Sequence, residues 1–334
     1  MIFVTGGTGL LGSHLLFELT RENKPIRALK RPFSNLSEVT RVFGYYTDSH
    51  DDLFSKIEWV DGDILNYADM LELLQGIDSV YHCAAMVSFD PTDRNRMIKN
   101  NRQGTANIVN AALERDVKKV CHVSSTSAIG QAPDDQLANE SMIWAESKSN
   151  TGYSISKFKS EMEVWRAIEE GLSAVIVNPS IILGPGFWER GSSSIFSRVD
   201  KGLTFYSNGV TGYVGVWDVV KVMIRLMESD ITGERFLVTA ENLTYKEMLD
   251  MVADAMDKKR PAIEATRFMT ELIWRLDWFR GLFSPGERVF TRERIRAARH
   301  VARFDNNKVI KTIDFEFEPV KNVIEKVAAY YLKG

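Results

Sequence analysis

The sequence predicts an α/β protein, a doubly wound parallel sheet followed by a smaller C-terminal α+β unit. Three observations carry this expectation. Short β-branched runs alternate with helical patterns through the first half of the chain, a glycine-rich turn joins the first strand to the first helix, and the alternation weakens beyond Gly184. The expected boundary lies between residues 183 and 184, giving units 1–183 and 184–334 that are partly interleaved.

The strand candidates, in order, are Ile2 to Thr5, Pro25 to Leu29, Lys56 to Val60, Ser79 to Cys83, Lys118 to Ser125 and Ser173 to Ser180. Parallel strands this apolar need helices on both faces, and "GLLGSHLLFEL", "YADMLELL", "GTANIVNAALER" and "KFKSEMEVWRAIEE" supply apolar stripes at helical spacing. Phe43 to Phe54, polar and tyrosine-rich, and Gln131 to Asn150 read as loops. Beyond Gly184 the strand "ERFLV" and the helices "YKEMLDMVADAM" and "PVKNVIEKVAAYY" are assigned to the smaller unit, packed over the carboxyl edge of the sheet.

Composition narrows the function classes. Apolar residues make up 44% and charged residues 26%, with a net charge of −3, so no global basic field exists to hold a nucleic acid. The run "RERIRAARHVAR" is basic but lacks interleaved aromatics, and reads as a solvated helix face. Cys83 and Cys121 sit in apolar runs without metal-ligand spacing, as free thiols of a reducing compartment do, and no metal site is expected. The first residues already read as a strand, and no stretch approaches the roughly 18 apolar residues of a membrane span. A cytoplasmic protein with no membrane span is expected.

"TGGTGLLG" places Gly6, Gly9 and Gly12 between the first strand and the first helix. Gly6 suits a tight turn, Gly9 a close approach by a pyrophosphate, and Gly12 close packing of helix on strand, while the helix amino end offers unpaired N–H groups to the phosphates. This is a dinucleotide site. The second strand ends in Lys30 and Arg31 where a carboxylate would receive a free ribose diol, so NADP(H) is favoured over NAD(H). Asp63 and Ile64, after the third strand, are placed to hold an adenine, and Ala84 and Ala85, after the fourth, allow close approach to a ribose.

"TGGTGLLG", "GDIL", "HCAA", "NRQGTAN", "VSST", "YSISK" and "NPSIILGPG" occur in one order along the whole chain. In this it resembles the extended short-chain dehydrogenases/reductases, with a Rossmann-type fold, and within them the dihydroflavonol 4-reductase-like reductases. The resemblance implies Tyr153 as general acid/base and Lys157, four residues on, as the cation that stabilises its phenolate and reaches the nicotinamide ribose. It implies Thr126 as the hydroxyl that polarises a substrate carbonyl, with Ser125 or Ser127 as substitutes because relatives more often carry serine there. Asn101 would order backbone or water near the site, or else be a helix-surface amide. The cofactor set it implies also takes in Thr8, Leu10, Leu11, Ser124, Pro179, Ser180 and Ile182. Relatives often dimerise through the helices holding Asn101 and Tyr153; the same stripe also fits a solvated face over a core.

The expected activity is reduction of a ketone or aldehyde to an alcohol. A sugar-nucleotide dehydratase would need an Asp-Glu pair where Ser127 and Ala128 stand. A nucleotide-sugar epimerase with tightly held NAD is opposed by Lys30 and Arg31, and a non-enzymatic NADP(H) sensor or assembly factor by the presence of both Tyr153 and Lys157. His14 and His122 read as hydrogen-bonded structural residues. An apolar or aromatic carbonyl substrate is expected from Met86, Phe89, Phe187, Trp188, Phe196, Phe205 and Tyr206, with Arg190 and Arg198 as the obvious cations for a diphosphate. Trp274 and Trp278 would add a lid, or a core or dimer stripe.

Overall fold

The structure, a computed structural model of the chain, describes residues 1–88, 90–133, 136–147, 150–266, 269 and 299–333. Its centre is a sheet of seven strands: β1 (Ile2–Thr5), β2 (Ile26–Lys30), β3 (Ile57–Asp61), β4 (Ser79–His82), β5 (Lys119–Val123), β6 (Ala174–Pro179) and β10 (Glu234–Val238). They lie in the order β10-β6-β5-β4-β1-β2-β3, every neighbouring pair parallel. The order reverses between β1 and β4, which opens a crevice at the carboxyl ends of the strands.

Alternation along each strand feeds two cores. Val4, Val175 and Val177 pack with Leu15, Leu16 and Met223 on one face. Phe3, Ala174 and Ile176 pack with Met70, Ile108 and Val164 on the other. The first face is covered by α1 (Leu10–Arg21) and α8 (Val216–Glu228), the second by α4 (Tyr67–Leu73), α5 (Arg94–Glu114) and α6 (Gly152–Glu169).

Two expectations are corrected here. "ERFLV" is no part of the smaller unit: as β10 it pairs with β6 from Glu234 opposite Val175 to Val238 opposite Pro179 and completes the main sheet. With α8 beneath β5 and β6 as well, the chain returns to the first layer well after residue 184. Phe43 to Phe54 is largely helical, in α2 (Ser37–Gly44) and α3 (His50–Ser55). Val39, Val42 and Phe43 bury one face of α2, and Asp51 and Asp52 complement the amino end of α3. Gln131 to Asn150 carries neither helix nor strand among its described residues.

The smaller unit joins β7 (Ile181–Leu183), β9 (Val210–Gly215) and β11 (Glu241–Thr244), with α7 (Ser194–Asp200), α9 (Tyr245–Ala255) and the last helix, Val320–Leu332, packed on a core of Leu183, Phe196, Tyr213, Val252 and Val323, while β8 (Phe205–Tyr206) pairs apart with Ile263–Glu264. Hydrogen bonds from Trp188 Nε1 to Tyr45 Oη (3.1 Å) and from Trp217 Nε1 to Tyr46 Oη (2.9 Å) tie this side of the molecule to the turn after α2. Among the described residues no helix is long and apolar enough to cross a membrane.

Candidate active site

The glycine turn is dictated by sterics at two of its three positions. Gly6 has φ +72°, and a Cβ there would lie 2.6 Å from the Ala84 nitrogen; a Cβ on Gly12 would overlap the Gly6 carbonyl oxygen. Gly9 differs. A Cβ on it would meet only the Gly6 oxygen, at 3.4 Å, so the fold itself tolerates a side chain there. Gly9 also caps α1 with no side-chain hydrogen bond and no acidic residue in the first turn, leaving the amides of Leu10, Leu11 and Gly12 for a ligand. Thr8 is half-buried on the same turn. The open cradle and unpaired amides fit a dinucleotide pyrophosphate.

Flanking positions follow the strand ends. Thr5 Oγ1 accepts from the Ala84 amide at 3.2 Å and bonds His82 Nδ1 at 2.8 Å, fixing the run through Ala85 beside the turn. Asp63 is exposed and accepts from the Leu65 amide at 3.0 Å; the Ile64 carbonyl is held by Asn107 Nδ2 at 2.8 Å. Lys30 is not free: its ammonium pairs with Asp61 across β2 and β3 at 2.5 Å. Arg31 lies exposed just beyond. Pro179 ends β6, the Ser180 amide donates to the Val238 carbonyl at 3.1 Å, and Ile182 sits half-buried on β7.

Helix α6 starts where Thr151 Oγ1 accepts from the Ser154 amide, at 3.0 Å, and runs Tyr153, Lys157 and Glu161 along one face. The Tyr153 side chain lies within reach of the Ser125 hydroxyl. Ser125 Oγ also accepts from the Ser127 amide at 3.2 Å, capping the 3-10 turn Thr126–Ala128, which Thr126 opens with 9% of its surface exposed. Burial pushes the phenol pKa up, the Ser125 hydroxyl pulling it back. Lys157 Nζ donates to the Val123 carbonyl at 2.9 Å; burial lowers its pKa to about 8, with Cys83 and Glu161 holding it up.

Asn101 is buried, which removes the surface-amide alternative. Its Oδ1 accepts from the Met86 amide at 2.7 Å, and its Nδ2 donates to the Met86 carbonyl at 2.9 Å and to Ser156 Oγ at 3.1 Å. It therefore joins the run after β4 to α6. Ser124 is turned inward, its hydroxyl donating to Glu161 Oε2 at 2.7 Å. His14 is buried with Nδ1 2.7 Å from the Leu10 carbonyl. His122 is buried too, its ring 5.2 Å from that of His82, but both of its nitrogens are without hydrogen-bond partners among the described residues.

Several expected pocket residues are structural instead. Phe196 is fully buried and Phe187 nearly so, in the left-handed region at φ +59°. Trp188 stacks edge-on with Tyr331 (5.0 Å) and Phe196 (6.1 Å), and Arg190 pairs with Glu38 while lying over the Phe187 ring. Their apolar area goes into sealing the last helix and α2 together. Phe205 remains exposed, and Met86 and Tyr206 half-buried. Phe89, Trp274 and Trp278, with residues 292–298 of the basic run, lie outside the described residues. Among the described residues no cluster of metal-ligating side chains occurs.

Residues 2–238 match the profile of the NAD dependent epimerase/dehydratase family. The sterol demethylase protein B of Methylococcus capsulatus is 30% identical over 264 residues, covering 78% of this chain and 76% of that protein. A putative dihydroflavonol 4-reductase of a Synechocystis species is 30% identical over 255 residues, 74% and 70% of the two chains. The UDP-glucose 4-epimerase of Thermotoga maritima, solved with UDP-glucose, superposes with a TM-score of 0.77 at 18% identity over 99% of this chain and 98% of that one, a likeness of fold alone. The chain belongs to the NAD dependent epimerase/dehydratase family, a family of enzymes within the extended short-chain dehydrogenases/reductases.

Proposed function

We propose that this chain is an NADP(H)-dependent reductase of ketones or aldehydes, with Tyr153 as proton donor. The observation that carries the reading is the convergence of the Tyr153 and Ser125 side chains beyond the carboxyl end of β5, with Lys157 one helical turn along α6 from Tyr153. A bound nicotinamide supplies the hydride to the carbonyl carbon. The residues of the chain do the rest. When a carbonyl is bound, the Ser125 hydroxyl donates to its oxygen, where negative charge develops. Tyr153, whose pKa burial pushes further above its ordinary value, gives its proton to that oxygen, and the protonated Lys157 steadies the phenolate left behind.

NADP(H) is favoured because β2 ends in Lys30 without a carboxylate; with Lys30 paired to Asp61, Arg31 is the cation left for a 2′-phosphate. An apolar or aromatic substrate is favoured because Arg190 is taken by Glu38, which leaves Arg198 alone of the two arginines expected for a diphosphate. The kinship with proteins named for dihydroflavonol and sterol chemistry points the same way. A panel of aromatic and alicyclic ketones, aldehydes and UDP- or dTDP-sugars, assayed with NADPH and NADH, tests the reading. NADPH oxidation by an apolar carbonyl supports it; turnover confined to nucleotide sugars overturns it.

A further inference from the structure

Glu161 is one turn beyond Lys157 and almost fully buried, yet the mechanism above gives it no task. Its carboxylate has four donors. Oε2 accepts from Ser124 Oγ at 2.7 Å and Asn178 Nδ2 at 2.9 Å, while Oε1 accepts from Arg235 Nη1 at 2.9 Å and Trp165 Nε1 at 3.3 Å. Asn178 Nδ2 also donates to the Ser125 carbonyl at 3.0 Å, so the carboxylate grips the backbone of the residue whose hydroxyl meets Tyr153. On its far side Arg235 holds the Glu140 and Met142 carbonyls at 2.6 and 3.0 Å, in the stretch that leads to α6. A buried carboxylate costs several kcal/mol to desolvate unless it is paired, so this arrangement persists only because every donor is in place.

We propose that Glu161 is a positioning residue: its carboxylate, braced by Arg235, aligns Ser125 with Tyr153 through Asn178 and supplies the negative charge that keeps Lys157 protonated. This rests on reading Tyr153 and Lys157 as the acid–base pair. The charged and titratable groups facing Lys157 are Cys83 after β4, His82 on β4, His122 on β5, and Tyr153 and Glu161 on its own helix. His82 and His122 are neutral through burial and the Cys83 thiol is pushed up to about 12, which leaves Glu161, paired with Arg235, as the carboxylate of that set. Replacing it by an amide takes the carboxylate's charge away from both Lys157 and Arg235.

The test follows the 13Cε resonance of Lys157 through a pH titration of lysine-labelled, cofactor-free full chain, with Lys157→Met assigning the signal. Glu161→Gln should lower the Lys157 midpoint by about one unit or more, the effect of deleting a nearby opposite charge. Arg235→Gln, which spares the carboxylate, should leave the midpoint unchanged or raise it. A Glu161→Gln midpoint within about 0.3 unit of the parent, or an equal fall in both variants, overturns the proposal. Should Glu161→Gln not fold, Arg235→Gln still decides: a midpoint unchanged or raised supports the proposal, and a fall overturns it. The readout needs neither substrate nor turnover, so it fails or succeeds independently of carbonyl reduction. In the working enzyme the alkaline limb of the reduction rate should move down with the Lys157 midpoint, a displacement that damage to the fold alone would not produce.

Discussion

Ser125→Ala and Thr126→Ala separate two hydroxyls that stand side by side at the end of β5. Ser125 Oγ meets the Tyr153 phenol and accepts from the Ser127 amide at 3.2 Å, whereas Thr126 opens the turn behind it. Removing a donor aimed at developing oxyanion charge costs about 100- to 1,000-fold in kcat, or about 2.7–4 kcal/mol. Ser125→Ala should pay that cost with little change in NADPH affinity. The lost cap adds about 1 kcal/mol of instability. In a chain of this size that lowers Tm by only about 1–2 °C, so the loss of rate cannot be ascribed to unfolding. Thr126→Ala should stay within about tenfold of the parent, since truncating it spares the phenol's partner. The assay is stopped-flow NADPH oxidation with the best carbonyl from the substrate panel. A Ser125→Ala enzyme that keeps a third of its rate while Thr126→Ala loses 100-fold would refute the geometry and restore Thr126 as the polarising hydroxyl.

Three further outcomes follow from the structure. Gly9→Ala should fold with near-parental stability and bind NADPH poorly, whereas Gly12→Ala should lose stability outright, since its Cβ overlaps the Gly6 carbonyl; equal melting temperatures for the two would contradict this. Arg31→Glu should reduce or reverse the preference for NADPH over NADH in a fluorescence titration, and an unchanged ratio would remove Arg31 from the 2′-phosphate site. Burial lowers His82 to about 3 and His14 to about 4, below the 6.5 of an exposed imidazole. Both stay neutral in the fold and gain protons when exposed, so their share of stability is intact above pH 6.5 and is lost as the pH falls through about 4 and 3. Urea midpoints should drop across that window; a flat profile would show the imidazoles to be hydrated.

What could be read in the sequence follows the range of the interactions involved. The first six strands and the glycine turn are set by local alternation and local sterics, and all of them stand where "IFVT" through "SAVIVNPS" place them, within two residues. Strand β10 is equally local as a strand, but its place beside β6 depends on pairing across some sixty residues, which no periodicity encodes. The tyrosines of the stretch 43–54 looked polar because their partners, Trp188, Trp217 and Tyr330, come from distant parts of the chain. Phe196 is fully buried for the same reason: an aromatic run shows how much area is to be buried, not against what. At the site, the spacing of Tyr153 and Lys157 was legible, whereas the turn of Ser125 Oγ onto the Ser127 amide belongs to a three-residue 3-10 turn that no periodicity marks. Glu161 continued the same four-residue stripe in "KFKSEME" and could have been noticed there; Asn178 and Arg235 carried no such signal.

The most direct test of the account is Tyr153→Phe, compared with the parent in a single turnover of NADPH with a reducible apolar carbonyl. The variant keeps the ring that packs against the site and loses only the hydroxyl that meets Ser125. The account predicts NADPH binding close to that of the parent and a reduction rate lower by about 100-fold or more, the contribution expected of a positioned acid. Reduction at more than about a tenth of the parental rate would contradict it, and would mean that the proton reaches the carbonyl oxygen from another group.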